Sequence, residues 1–139
     1  MIILAVDIGQ ARTGLAVCDS SETFAFPRGI IKEYNRETLF QKIAQKAKEE
    51  KAELIVVGLP KNMDGTEGFK AEECREAAEK IKEFSGLPVD LYDERCTTVM
   101  AHFDLRNNGI NGKKRKDIVD SVAATVILEG YLDYRKNKK

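Results

Sequence analysis

The sequence predicts an α/β fold built on a mixed five-stranded sheet flanked by helices, with an antiparallel meander of three strands followed by parallel strands. Two observations favour this fold. Residues 1–32 hold three apolar runs joined by short turns, as in successive hairpins. Beyond them, helical periodicity alternates with short apolar runs, as in parallel strands joined by helical crossovers. Because the 139 residues contain no linker, repeat or change of composition, we expect a single domain over 1–139.

The meander is predicted from the first three apolar runs. Residues 2–6 form a strand, 9–14 a glycine-bearing turn and 15–18 the antiparallel partner, so that Asp7 stands at a strand end. Residues 24–32 form the third strand. Pro27 lies inside it and favours an edge position or a bulge, because proline cannot donate a hydrogen bond to a neighbouring strand.

Helices and strands alternate after the meander. We predict a helix over 37–51, a strand over 53–58, a helix over 69–84, a strand over 89–92, and helices over 97–107 and 116–134. In mixed sheets of this kind, functional residues collect at strand ends near the change from antiparallel to parallel pairing.

The composition of the chain indicates its cellular compartment but does not predict its binding partner. Lys plus Arg and Asp plus Glu both number 23, so net charge does not predict a nucleic-acid or membrane partner, although basic residues exceed acidic ones after Glu94. The three cysteines, Cys18, Cys74 and Cys96, show no disulfide or zinc-binding spacing and fit a reducing cytosol. The apolar run after Met1 is too short for a signal peptide or a membrane span. We therefore expect a soluble cytoplasmic protein.

Three carboxylates occupy positions where separate elements can converge. Asp7 stands at the end of the first predicted strand, and Glu94 stands at the end of the last one. Asp120 shares a face of the final helix with Ala124 by its i, i+4 spacing. Carboxylate oxygens are the ligands that Mg²⁺ and Mn²⁺ prefer, and such a cluster can support phosphodiester cleavage. Each acid also has a structural interpretation: Asp7 as a turn cap, Glu94 as a partner of Arg95, and Asp120 as a favourable charge near a helix start.

Four blocks of the chain resemble, in order and spacing, the YqgF (RuvX) family of ribonuclease H-like nucleases. The blocks are DIGQARTGLA (7–16), VGLPKNMDGTEG (57–68), DERCTT (93–98) and VDSVAATVILEGYL (119–132). The resemblance implies a ribonuclease H-like fold in which Asp7, Glu94 and Asp120 are the catalytic, metal-binding acids. It also implies a substrate, which is either the 5′ end of precursor 16S ribosomal RNA or a Holliday junction. Asp117, one helical turn before Asp120, could supplement or replace it as a ligand.

Basic residues near these acids are candidates for binding the nucleic-acid backbone. In the predicted turn, Arg12 could hold a phosphate or neutralise nearby acids. The glycine-rich loop 58–68 could offer amides to a phosphate, or could be a structural turn. The basic run NGKKRK (111–116), predicted as a loop, could grip phosphates or form ordinary solvated surface. The candidate nucleic-acid contacts are Arg12, Lys61, Arg95, Lys113, Lys114, Arg115 and Lys116.

Parts of the sequence also fit two other classes of function. The DxGxxxxG pattern from Asp7 to Gly14 also resembles the phosphate loop of the actin-like ATP-binding proteins, but those use two lobes and this chain supplies one. A catalytically idle nucleic-acid-binding module would keep the basic residues without needing the acids. Either a monomer or a homodimer fits the sequence, and a branched junction would favour a dimer with two sites.

Overall fold

The computed structural model describes residues 1–59, 68–93 and 112–138, and for 69, 112–121 and 138 it describes the backbone alone. Within this part of the chain the strands are β1 (Ile3–Asp7), β2 (Arg12–Cys18), β3 (Ala25–Lys32), β4 (Leu54–Leu59) and β5 (Val89–Asp93). They form one sheet in the order β3-β2-β1-β4-β5. β2 is antiparallel to β1 and β3, whereas β4 is parallel to β1 and β5. The predicted mixed sheet is therefore confirmed.

The described residues include three helices on the two faces of the sheet, namely α1 (Arg36–Glu49), α2 (Phe69–Ser85) and α3 (Gly112–Lys138). Because side chains alternate along a strand, Leu4 and Val6 of β1 face α1 and α2, while Ile3 and Ala5 face α3. The sheet therefore has one buried apolar layer on each of its two faces. No helix in the described ranges combines the length and the apolar character needed to cross a lipid bilayer.

Local signals in the sequence fix the ends of α1 and α2. The side chain of Asn35 accepts a hydrogen bond from the Thr38 amide at 2.9 Å, which caps the amino end of α1. Gly86 ends α2 in the left-handed conformation (φ 72°), which a residue without a β-carbon adopts at little cost.

Contacts at its carboxyl end set the direction of α3. The Tyr131 hydroxyl donates to Asp90 Oδ2 at 2.8 Å, and Arg135 Nε donates to Glu22 Oε1 at 2.7 Å. Glu22 also pairs with the Met1 amino group at 3.1 Å. These partners lie at the end of the sheet where strands β1 and β5 begin. The amino-terminal half of α3 therefore extends toward the opposite end of the sheet, where strands β1, β4 and β5 end.

The meander differs from the prediction in one respect that matters for the site. β2 begins at Arg12 rather than at residue 15, so Arg12 lies in a strand and not in the turn. Pairing with β3 extends β2, since Arg12 lies opposite Lys32 and Thr13 opposite Ile31. β3 is an edge strand, and its register with β2 shifts between Gly14 and Ala16, as Pro27 predicted.

The last helix also differs from the prediction. α3 begins at Gly112, so Lys113, Lys114, Arg115 and Lys116 lie in its first turns and not in a loop. Lysine and arginine have good helix propensity, and a run of them need not interrupt a helix. The other predicted elements that can be compared differ by one or two residues at their ends. The predicted helix over 97–107 lies outside the described residues.

Candidate active site

Asp7 is the last residue of β1, a central strand of the sheet, and it is half-buried. Alternation along the strand places its side chain on the face of Ile3 and Ala5, which α3 covers. Gly14 of β2 lies directly opposite Asp7. On the other side Val6 pairs with Val57 of β4, and the next residue of β4, beside Asp7, is Gly58. Because both neighbours are glycines, neither of these two positions adds a side chain beside Asp7.

Arg12 accompanies Asp7 on the same face and at the same edge of the sheet. Gly14, Ala16 and Cys18 alternate along β2, and the last two pack in the layer under α3, so Arg12 belongs to that face as well. It is separated from Gly14, the residue opposite Asp7, by one position. One nitrogen of its guanidinium group, Nη1, is buried. A cation and a carboxylate thus share one end of the α3 face.

The turn between β1 and β2 is held by a residue that the sequence does not single out, Arg36. Its Nη1 donates to the carbonyl of Gly9 at 3.1 Å, and its Nη2 donates to the carbonyls of Gln10 and Glu33. Its Nε donates to the carbonyl of Tyr34 at 3.2 Å. Since Arg36 is the first residue of α1, this side chain fixes the turn after Asp7 to the start of a helix.

Gly9 makes the same turn possible by its small size. A β-carbon at this position would lie 2.2 Å from the backbone oxygen of Arg12, which is closer than two non-bonded atoms can approach. The backbone of Arg12 therefore packs directly on Gly9. This contact sets the path of the chain from Asp7 into β2.

The structure describes only part of the predicted site. Asp7 and Arg12 lie on the same face at the same end of the sheet. The backbone of Asp120 lies in α3, four residues before Ala124, which packs under the sheet, and the backbones of Lys113, Lys114, Arg115 and Lys116 form its first turns. Glu94, Arg95 and Lys61 lie outside the described residues. Among the residues that are described, no three Asp, Glu, His or Cys side chains form a group suited to a metal ion.

The mixed sheet, with an acid at the end of its central strand, defines a ribonuclease H-like fold. A chain with this fold is RuvC from T. thermophilus, solved in complex with Holliday junction substrate, which matches with a TM-score of 0.60 and 14% identity over 99% of this chain and 96% of that one. The model of the RuvX family, described as Holliday junction resolvase, matches residues 1–134. The chain belongs to this family.

Curated relatives match over almost their entire length. A protein of Anaeromyxobacter sp. is 41% identical over 135 residues, covering 97% of this chain and 98% of the relative. A protein of Thermoanaerobacter pseudethanolicus is 40% identical over 139 residues, covering 99% and 100%. Both carry the name "Putative pre-16S rRNA nuclease".

Proposed function

We propose that this chain is a divalent-metal-dependent nuclease that cleaves precursor 16S ribosomal RNA, in the cytoplasm. The observation that carries the proposal is the position of Asp7 at the carboxyl end of β1, between two glycines and on the same face as Arg12. The names of relatives about 40% identical to the chain favour ribosomal RNA as the substrate.

Asp7, Glu94 and Asp120 would hold the metal. The donor set suits Mg²⁺ or Mn²⁺, which prefer carboxylate oxygens, and the flanking Gly14 and Gly58 have no side chains that would compete with a metal ion for this position. β1 and β5 end at the same edge with only β4 between them, about 10 Å apart at the usual strand spacing. Glu94 follows β5 directly in sequence. The direction of α3 brings Asp120 toward this edge, and Asp117 is the adjacent candidate.

The other residues of the site would bind and orient the RNA. A bound divalent ion would supply an activated water and stabilise the charge that develops on the phosphate. Arg12 would hold a phosphate oxygen next to Asp7, because a guanidinium group binds phosphate through two parallel hydrogen bonds. Lys113 to Lys116, in the first turns of α3, would contact the backbone further along, together with Lys61 and Arg95.

A Holliday junction is the second candidate substrate. The description of the family favours it, and a junction would favour a homodimer that presents two such sites. A monomer suffices for cleavage of RNA at one position. The contacts proposed above are mainly to phosphates, which both substrates share.

The experiment compares cleavage of end-labelled precursor 16S ribosomal RNA and a synthetic four-way DNA junction with Mg²⁺, Mn²⁺ or EDTA. We expect the wild type to cut the RNA only with a divalent ion, and Asp7→Asn to lose the cut, because asparagine keeps the size and removes the charge. Asp93→Asn is the matched control, since Asp93 ends β5 at the same edge but shares the opposite face with Leu91. If the wild type binds the RNA but does not cleave it, the result would contradict the proposed nuclease function.

A further inference from the structure

A groove opens beside the candidate active site, on the opposite face of the sheet from α3. It has a volume of about 550 Å³, within the range of sites that hold small ligands. The three residues that follow Asp7, namely Ile8, Gly9 and Gln10, form one wall. The rest is lined by Tyr34, Arg36, Lys70, Glu73 and Cys74. The groove therefore begins directly behind the strand end that carries Asp7.

The groove offers an aromatic ring and a cation to a ligand. Tyr34 is 75% exposed, and its ring stacks on no other ring of the described residues. Lys70, in the first turn of α2, is exposed and forms no ion pair within the described ranges. An exposed ring suits a nucleobase, and an ammonium group suits a phosphate. Glu73, one turn further along α2, also lines the groove, and its negative charge disfavours a second phosphate there.

The walls of the groove are already fixed before a ligand binds. Arg36 donates to the carbonyls of Gly9 and Gln10 on one wall and to the carbonyl of Tyr34 on the other. Its guanidinium group is thereby committed to the backbone and leaves the binding of phosphate to Lys70. A preformed groove loses less conformational entropy on binding than a mobile one.

We propose that this groove binds an unpaired nucleotide that flanks the scissile phosphate, with the base stacked on Tyr34 and one phosphate on Lys70. This inference rests on the proposed nuclease function, because it assigns the groove to the same RNA. A nucleotide bound in the groove would make the protein select RNA with a single-stranded extension next to the cleavage position. Contacts on the α3 face alone would accept a continuous duplex.

The test measures binding of fluorescently labelled RNA by anisotropy, with Mg²⁺, on an Asp7→Asn background, with gels to verify that the RNA stays intact. The ligands are a blunt duplex and the same duplex with a ten-nucleotide 5′ or 3′ extension. We expect at least one of the two extended duplexes to bind more tightly than the blunt one. Adding Tyr34→Ala should weaken binding of that extended duplex about five- to 150-fold and leave the blunt duplex unchanged. Tyr34→Trp should retain the preference.

Lys70→Ala tests the phosphate contact separately. It should reduce the slope of log K against log salt concentration by about 0.7 for the extended duplex, the value for one phosphate of a single strand. Tyr134→Ala and Lys48→Ala are the controls. Tyr134 is an exposed ring near the end of α3, and Lys48 lies in the last turn of α1, away from the groove.

The outcomes separate this inference from the function on which it rests. If the extended and blunt duplexes bind equally, or if Tyr34→Ala acts no differently from Tyr134→Ala, the groove is not a nucleotide site even when Asp7→Asn has abolished cleavage. If the protein binds neither RNA, the proposed function and the groove both fail. If Asp7→Asn cleaves the RNA as the wild type does, the assignment of the catalytic acid fails.

Discussion

At the scale of single residues, the site depends on where the chain places small side chains as much as on where it places charges. Asp7 has Gly14 and Gly58 as its neighbours across the sheet, and Gly9 lies under the backbone of Arg12. From the sequence, Asp7 is a candidate because it ends the first apolar run, and Arg12 is a candidate because it follows in the glycine-bearing segment beside Asp7. The sequence could not show that Gly14 and Gly58 flank Asp7, since that requires the register of three strands.

Gly9→Ala is expected to lower the rate of RNA cleavage while leaving the protein folded. The added methyl group would lie 2.2 Å from the Arg12 carbonyl oxygen, so the turn must move and carry Arg12 away from Asp7. The measurement is single-turnover cleavage, with circular dichroism to verify folding. Gly68→Ala is the control, because a β-carbon there meets nothing within 4 Å. Equal rates for the two variants would show that the path of the turn does not matter.

At the scale of elements, α1 and α3 hold opposite ends of the sheet by different means. Arg36 fixes α1 to the turn after Asp7, and the pair of Glu22 and Arg135 fixes α3 to the hairpin between β2 and β3. Periodicity predicted both helices. It did not predict these contacts, because Arg36 lies 27 residues from Gly9 and Arg135 lies 113 residues from Glu22. Contacts of this range follow from the tertiary fold.

Arg36→Ala is expected to lower the free energy of unfolding by about 1–3 kcal/mol, because backbone carbonyls lose a charged donor. Cleavage should also slow at temperatures where the variant is fully folded, since the turn beside Asp7 is no longer held. Urea denaturation and cleavage assays measure the two effects. Arg28→Ala is the matched control, because Arg28 pairs with Glu50 on the surface and does not contact the turn. An Arg36→Ala variant as active as Arg28→Ala would rule out a role for Arg36 in positioning the turn.

Glu22→Gln is expected to destabilise the protein in a manner that depends on pH. Hydrogen bonds from Arg135 and then from the Met1 amino group hold the pKa of Glu22 below its usual value of 4.5. A lowered pKa contributes stability above pH 4.5, and this contribution is lost as the pH falls through the lower, folded value. The loss at pH 7 should be about 0.2–1 kcal/mol.

Urea denaturation of the wild type and Glu22→Gln between pH 3 and pH 7 measures this difference. The two free energies of unfolding should converge at the acidic end. Glu83→Gln is the control, since the pair of Lys80 and Glu83 is more than half exposed at both side chains and its atoms are 3.7 Å apart. A difference that stays constant with pH would show that the charge of Glu22 is not responsible.

At the scale of the whole molecule, the sheet separates two surfaces that meet at one edge. The α3 face carries Asp7 and Arg12, and the opposite face carries the groove of Tyr34 and Lys70. The order of strands and helices made the mixed sheet predictable from sequence, because antiparallel hairpins and helical crossovers leave different patterns. The groove was not predictable, since its walls come from three segments that are far apart in the chain.

The central claim is that Asp7, Glu94 and Asp120 act as one metal-binding unit, and single-turnover cleavage by single and double variants tests it most directly. Asp7→Asn, Glu94→Gln and Asp120→Asn should each slow cleavage of precursor 16S ribosomal RNA roughly 100-fold or more. The double variant Asp7→Asn/Asp120→Asn should be no slower than either single variant, because residues that act as a unit are not additive. Near-normal cleavage by any of the three single variants, or fully additive losses in the double variant, would contradict the claim.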